Sequence, residues 1–361
     1  MASIDVALRL GNSNIQSSEV KAVVTSAAAA VTVTNRDASN FPIMDENFEF
    51  HGYHKFGRIL GRGSFGTVIE CIRKQDSRAV ALKLVKKKSI YKWVSESSLQ
   101  VVNDSNVAAS KSERLLPIEV ACLLRSAKVN GVVKLNEYWP SVDRPIQCDS
   151  LKQKKKEEEN QIEQDNDTST DEAVIGIVLE RNYNEECLFD YLNEKTVISE
   201  NEAKIIIKQL VEININLLSV GVLHGDLKSE NMLIDRRTKR IKLIDFGSAE
   251  LIDLNCSTKA VRAFRGTNLY KPPEYLLHKM FYPRPSTVWT IGIILYNMVT
   301  GEFPFDTENE VLEHKTKDIL FTKNVCLSNN IMDLIKKCLA FYAADRIIIE
   351  KVLLHPFMTQ Q

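Results

Sequence analysis

The stretch HGDLKSEN (224–231) sets an aspartate, a lysine and an asparagine at short fixed intervals: Asp226, Lys228 and Asn231. This is the spacing of a phosphoryl-transfer catalytic loop. A carboxylate can accept the proton of an attacking hydroxyl. An ammonium beside it can neutralise charge building on the transferred group, and the asparagine can bind a metal. Farther along, DFG (245–247) supplies Asp245, a second ligand of the kind magnesium prefers when phosphate oxygens complete its shell. DFG alone could be a turn; the chemistry rests on the ordered set.

Upstream lies LGRGSFGTV, with Gly61, Gly63 and Gly66. Glycines let backbone amides approach phosphates closely. Alone, the pattern also fits a dinucleotide fold or a plain glycine-rich turn. Strand-like sequence on both sides favours a hairpin lid over phosphates. VALK follows, with Lys83 seventeen residues past Gly66. An inward-pointing strand lysine needs a counter-charge, and Glu119 in LPIEVACLLR can supply it.

These groups must be placed by the elements around them. YHKFGRIL, GTVIECIRK and RAVALKLVKK read as strands between turn residues. LPIEVACLLRSA (116–127) has helical spacing, and VVKLNEYWP and AVIGIVLE read as strands. After residue 185 the pattern turns mostly helical. Ser199 and Glu202 form a capping box before EAKIIIKQLVEININLL. MLID and RIKLID are short strands, VWTIGIILYNMV is apolar nearly all round and so a buried helix, and IMDLIKKCLAF is another helix. The expected fold class is α+β. Residues 1–47 read as a disordered tail, 48–181 as a strand-rich lobe, 182–358 as a helical lobe and 359–361 as a tail. Irregular insertions are expected at 91–114 and 147–172, the second because of its blocky charge.

Composition narrows the classes. The chain has 361 residues, 44% hydrophobic and 26% charged, with 47 basic and 47 acidic side chains. Neutrality argues against a nucleic-acid partner. No apolar run reaches the ~18 residues of a membrane span, and the N-terminus lacks a signal-peptide pattern. Seven scattered cysteines form no CxxC pair, which points to a reducing compartment, cytoplasmic or also nuclear.

GRGSFGTV, VALK, HGDLKSEN, DFG, KPPE (271–274) and ADR (344–346) stand in the order of the eukaryotic protein kinases. The resemblance runs from about Tyr53 to Met358. It implies a bilobal fold, an antiparallel-sheet N-lobe with one main helix and a mostly helical C-lobe. It also implies ATP and Mg2+, protein substrates and a monomer. Asp226, Lys228, Lys83 and Glu119 would be catalytic, and Asn231 and Asp245 would hold metal. Leu60, Gly61, Gly63, Ser64, Phe65, Gly66, Val68, Ala81, Lys83, Leu233, the gatekeeper Leu179 and the hinge residues Glu180 and Asn182 would bind nucleotide. Glu274 would pair with Arg346, and Thr267 would support the catalytic loop beside the substrate. Lys228 is similar to serine/threonine kinases, and GVLHGDLKSENMLID and KLIDFGSAELI resemble the Pim kinases. The Pim group shares the lack of an aspartate at Thr287 and typically has proline near the hinge position held here by Asn182, whose N–H would then be an extra donor to adenine.

Gly225 stands where most kinases carry an arginine that grips an activation-segment phosphate. Its loss implies that no phosphate on Ser257 or Thr258 is required. A scaffold that binds ATP without turnover is the alternative. Asp190 and Glu230, with Glu185 and Glu186 nearby, match acids that select basic substrates, whereas Cys187 replaces a third. Lys259, Arg262 and Arg265 would oppose that preference by like-charge repulsion.

Overall fold

The computed structural model describes residues 53–63, 66–99, 114–142, 174–254, 259–321 and 325–360. The expected tail at 1–47 and insertion at 147–172 lie outside them, as do Ser64, Phe65, Ser257 and Thr258.

The N-terminal lobe is a five-stranded antiparallel sheet. It is formed by β1 (Tyr53–Gly63), β2 (Gly66–Arg73), β3 (Ala79–Lys86), β6 (Leu135–Val142) and β7 (Val174–Glu180), in the order β1-β2-β3-β7-β6. One face carries Ile69, Cys71, Val80, Leu82, Trp139 and Val178 in a small cluster of its own. Gly176 in β7 leaves room for the Trp139 ring, whose Cε3 and neighbours fill the space a side chain would need. The other face joins the main core through Val85, Ile175, Ile177 and Leu179.

Between β3 and β6 the chain makes β4 (Trp93–Ser95) and β5 (Leu115–Pro117), an antiparallel pair, and then α1 (Ile118–Arg125). The expectation that 91–114 is irregular is corrected over its first part only: Trp93–Ser95 pairs with Leu115–Pro117, and Glu96–Leu99 forms a 3-10 turn. Val94 and Leu99 pack on the core and fix this stretch. Residues 100–113 lie outside the described ones.

The C-terminal lobe begins with β8 (Glu185–Cys187) and α2 (Leu188–Lys195). The Ser199 side chain accepts from the Glu202 amide and starts α3 (Glu200–Ser219), as the capping pattern required. The Glu202 carboxylate is used elsewhere, on Tyr191, Lys195 and Lys239. Short strands follow: β9 (Val222–Leu223), β10 (Met232–Asp235), β11 (Ile241–Leu243) and β12 (Glu250–Leu251). Then come α4 (Pro273–His278), α5 (Pro283–Thr300), α6 (Glu308–Glu313), α7 (Asn329–Cys338), α8 (Ile349–Val352) and α9 (Pro356–Thr359). The last of these carries the fold one residue past the boundary expected at 358.

Helix α5 is buried on almost every face, as its unbroken apolar run demands. One core runs through both lobes, from Val120 and Ile175 to Ile206, Trp289 and Leu334. Among the described residues no helix is long and apolar enough to cross a membrane.

Arg346 ties the far end of the C-terminal lobe together. Its guanidinium meets Glu274 through two bonds, of 2.9 and 2.6 Å, and donates to the carbonyls of Ala340, Pro285 and Phe341. It also lies over the Trp289 ring. The side chain is 1% exposed, so its loss strands a buried carboxylate and three carbonyls. Arg346→Ala should destabilise the protein by about 3–5 kcal/mol, read as a lowered midpoint in urea unfolding.

Candidate active site

The glycine stretch is the turn between β1 and β2, where Gly63 pairs with Gly66. A Cβ on Gly61 or Gly63 would meet nothing within 4 Å, so the backbone there borders open space on the side-chain side. Gly66 differs. Its φ of +128° is a glycine conformation, and a Cβ there would lie 3.1 Å from the Leu84 carbonyl carbon and nearer its oxygen. Register places Val68 opposite Lys83, and Ala81 opposite Leu179. With the two-residue alternation of strands, Val68, Ala81, Lys83 and Leu179 share one face. Leu60 lies in β1 and is half-buried, and Leu233 comes from β10, half-buried beside β8.

The link from β7 into β8 is held on both sides. Glu180 accepts from the Lys134 amide at 2.9 Å, and Arg181 donates to Glu70 on β2 at 2.9 Å. The Asn182 carbonyl accepts from Glu185, and its side chain from Asn184. Its own N–H meets no acceptor among the described residues and is exposed.

Lys83 is 4% exposed, and its Nζ bonds Glu119 Oε1 at 2.6 Å and Asp245 Oδ1 at 2.8 Å. Burial works to lower the ammonium's pKa, but the Asp245 and Glu119 charges outweigh it and hold the pKa above its ordinary value. Burial raises the Glu119 pKa, against the pull of Lys83. For Asp245 burial is again the largest effect, yet Lys83 and the Gly247 amide prevail and lower its pKa. Asp245 sits at φ +59° and caps the following turn by accepting from Gly247 at 3.1 Å. Phe246 is wholly buried, 4.8 Å from the ring of His224. His224 donates from Nε2 to the Ile244 carbonyl at 3.0 Å, and burial depresses its pKa.

Asp226 is 7% exposed and multiply held. Its Oδ1 accepts from the Thr267 amide at 2.8 Å and from the Thr267 hydroxyl at 3.0 Å. Its Oδ2 accepts from Asn231 Nδ2 at 3.0 Å and lies 3.1 Å from Lys228 Nζ. Lys228 also donates to Thr267 Oγ1 at 2.8 Å. Thr267 therefore bridges Asp226 and Lys228. Both side-chain bonds of Asn231 use its nitrogen, leaving the amide oxygen available. The Ile244 amide donates to the Asn231 carbonyl at 3.0 Å, which sets Asn231 beside Asp245. Among the described residues no group of three or more His, Cys, Asp or Glu could hold a metal unaided. One carboxylate and one amide oxygen fit a hard cation whose remaining ligands are phosphate oxygens and water.

Gly225 has φ +80°, and a Cβ there would stand 3.0 Å from the Ser248 carbonyl carbon and nearer its oxygen. Gly266 faces the same crowding, its Cβ position 2.7 Å from the Gly225 carbonyl oxygen. Thr287 donates to Pro283 within its own helix. Gly225 and Thr287 line one small cavity of about 30 Å3 beside Asp226 and Phe264. Both departures from the common kinase pattern thus meet at one place.

The acidic cluster divides. Glu185 pairs with Lys242 at 2.8 Å, and Glu186 and Glu194 both pair with Arg236. Glu185 and Glu186, expected near Asp190 and Glu230, are thus paired with cations from β11 and from the turn after β10. Asp190 is exposed, its pKa raised by partial burial and by Glu186. Glu230 accepts from the Ser229 hydroxyl at 3.1 Å, and the Cys187 thiol faces the Glu230 carbonyl. Among the expected opposing cations, Lys259 and Arg262 are exposed. Arg265 is exposed as well, and it stacks on Tyr91, 3.5 Å from the ring centroid. Tyr91 and its neighbour Lys92, which meets Glu250 at 2.5 Å, escaped the sequence reading. No local pattern marks a contact between residues this far apart in the chain.

The protein kinase domain family matches residues 150–358. The chain is similar to the nematode serine/threonine-protein kinase prk-2 of Caenorhabditis elegans, at 31% identity over 87% of this chain and 60% of that protein. It is similar to zebrafish (Danio rerio) serine/threonine-protein kinase pim-2, at 29% identity over 86% of each chain. Serine/threonine-protein kinase 1 of African swine fever virus is 37% identical over 44% of this chain and 51% of its own.

The backbone at position 225 gives a direct test. Gly225→Ala should cost about 1–3 kcal/mol from the left-handed conformation alone, and more if the Ser248 carbonyl cannot move. A thermal melt should show the loss.

Proposed function

The chain belongs to the protein kinase family, and on that premise we propose that it transfers the terminal phosphoryl group of MgATP to serine or threonine in protein substrates, in the manner of the Pim kinases. The observation that carries this reading is the meeting of Lys83 with Glu119 and Asp245, bonded at 2.6 and 2.8 Å, with Asp226 held by Thr267 and Asn231 nearby.

In this reading Gly61, Gly63 and Gly66 offer amides to phosphate oxygens, together with Ser64 and Phe65 between them in the sequence. Lys83, oriented by Glu119, holds the phosphates. Leu60, Val68, Ala81 and Leu233 enclose the adenine, with Leu179 at its back. The Glu180 carbonyl and the Asn182 N–H are its hydrogen-bonding edge. Asp245 and the Asn231 amide oxygen would hold magnesium, which neutralises phosphate charge when bound. Asp226 orients the substrate hydroxyl and takes its proton, and Lys228 steadies the charge that develops opposite. Positioning and electrostatics do most of the work in such transfers.

Gly225 supports a further part of the proposal. With no side chain there to grip an activation-segment phosphate, activity does not depend on modification of Ser257 or Thr258. Replacing either by alanine leaves turnover intact. Asp190 and Glu230 remain as acids for a basic substrate, and Lys259 and Arg262 limit how many basic residues it can carry. The whole-protein activities of the relatives support the class of reaction only, because this chain spans 60% of the nematode protein.

Turnover with MgATP and a serine-containing basic peptide tests the reading. Asp226→Asn should lower kcat by roughly 10²–10⁴-fold, and Lys83→Met should abolish detectable transfer. A thermal shift with MgATP but no phosphopeptide in the unaltered protein would establish the scaffold alternative instead.

The hinge yields a separate outcome. Asn182→Pro removes a free N–H, a hydrogen bond of about 0.5–1.5 kcal/mol. ATP affinity should fall by up to roughly tenfold, as read by titration calorimetry.

A further inference from the structure

Glu119 can hold Lys83 only while helix α1 stays in place, yet no side chain caps that helix: Pro117 precedes it. Strand β4 does the holding. The Ile118 amide donates to the Lys92 carbonyl at 3.0 Å, and Trp93 pairs with Pro117. The side chains at the head of β4 reach the opposite way, into the segment that follows DFG. The Tyr91 hydroxyl donates to the Ala249 carbonyl at 2.5 Å, and Lys92 Nζ meets Glu250 Oε2 at 2.5 Å. Arg265 comes from the far end of that segment and lies on the Tyr91 ring at 3.5 Å. The two ends also touch each other, the Ser248 hydroxyl donating to the Arg265 carbonyl at 3.3 Å.

The chain of contacts continues to the catalytic loop. Glu250 pairs with Leu223, which directly precedes His224, Gly225 and Asp226. Two residues past Arg265, Thr267 bonds Asp226. Tyr91 and Lys92 therefore stand between the helix of Glu119 and the elements that carry Asp245 and Asp226. Their grip uses a cation on a ring, an ion pair and a hydroxyl, with no phosphate among its groups.

We propose that Tyr91 and Lys92 are positioning residues, a clamp that seats Glu119 and both ends of the activation segment around Lys83 and Asp226. The clamp rests on the phosphotransfer reading above, and deepens it by naming what takes over the task of the missing arginine. The ion pair is partly open, with Lys92 42% exposed against 14% for Glu250, so it is the part most sensitive to salt. The stack of Tyr91 on Arg265 is the part that spans the whole segment.

The test uses phosphatase-treated full-length protein and two readouts: turnover of a serine peptide, and hydrogen exchange. Tyr91→Ala should lower kcat roughly tenfold to hundredfold, the scale of misplacing groups remote from the chemistry, with little change in the peptide KM. Exchange should quicken in 118–125 and 246–251 while α5 stays protected. Tyr91→Phe keeps the ring and should lose less. Lys92→Glu and Glu250→Lys should each lower kcat, and the double variant should regain it.

Unchanged kcat and unchanged exchange in Tyr91→Ala would overturn the clamp, as would a charge-reversed double variant no better than either single one. If Tyr91→Ala unfolds, seen as lost protection in α5, the charge-reversal series decides by the same readouts. If the unaltered protein has no turnover, the phosphotransfer reading fails, and the clamp is still judged by exchange.

Discussion

A single buried ammonium sets the terms for this fold. Lys83 is almost wholly removed from water, and an unpaired charge there would cost several kcal/mol. It is offset only when two carboxylates arrive from elsewhere, Glu119 on α1 and Asp245 beyond the catalytic loop. Those residues are 36 and 162 positions away in the chain. The sheet, the helix and the start of the activation segment cannot drift independently, because displacement of any one leaves charge stranded. The competing effects on the three groups follow from this: burial opposes every charge, and mutual attraction prevails at Lys83 and Asp245 but not at Glu119.

Around that centre the polar contacts form a second layer. Asp226 has partners on both oxygens, and Thr267 ties it to Lys228. The effect is to fix direction, which suits a reaction in which little covalent work falls to the protein. Arg346 does a similar service at the opposite pole of the C-terminal lobe, binding α4 to the first turn of α5 and to the segment between α7 and α8. Neither cluster is a surface ion pair of the weak sort. Each is enclosed, and each joins segments separated by long stretches of chain.

Much of this was legible in the residues. The glycine spacing with strands on both sides marked a hairpin, Ser199 marked the start of α3, and the apolar run of α5 marked a buried helix. Lys83 and Glu119 could be matched because an inward lysine requires a partner. What escaped was of another kind. The pairing of Glu185 with Lys242, and of Glu186 with Arg236, depends on which turn lies beside which strand. No periodicity encodes it. Arg265 looked like an unattached surface cation, and although it is exposed, Tyr91 lies beneath it. The strand Trp93–Ser95 was hidden because three residues are too few for an alternation to declare itself.

Position 225 carries a consequence for descent. In a chain whose ancestor held arginine there, the change to glycine would at first remove only a side chain. Once the Ser248 carbonyl has closed on the bare backbone, the way back is obstructed, because restoring the old residue would require the segment after DFG to withdraw. Such a locus behaves as a ratchet. Lineages that pass it should keep glycine and adjust their surroundings, and reversion should be rarer there than the single codon change would suggest.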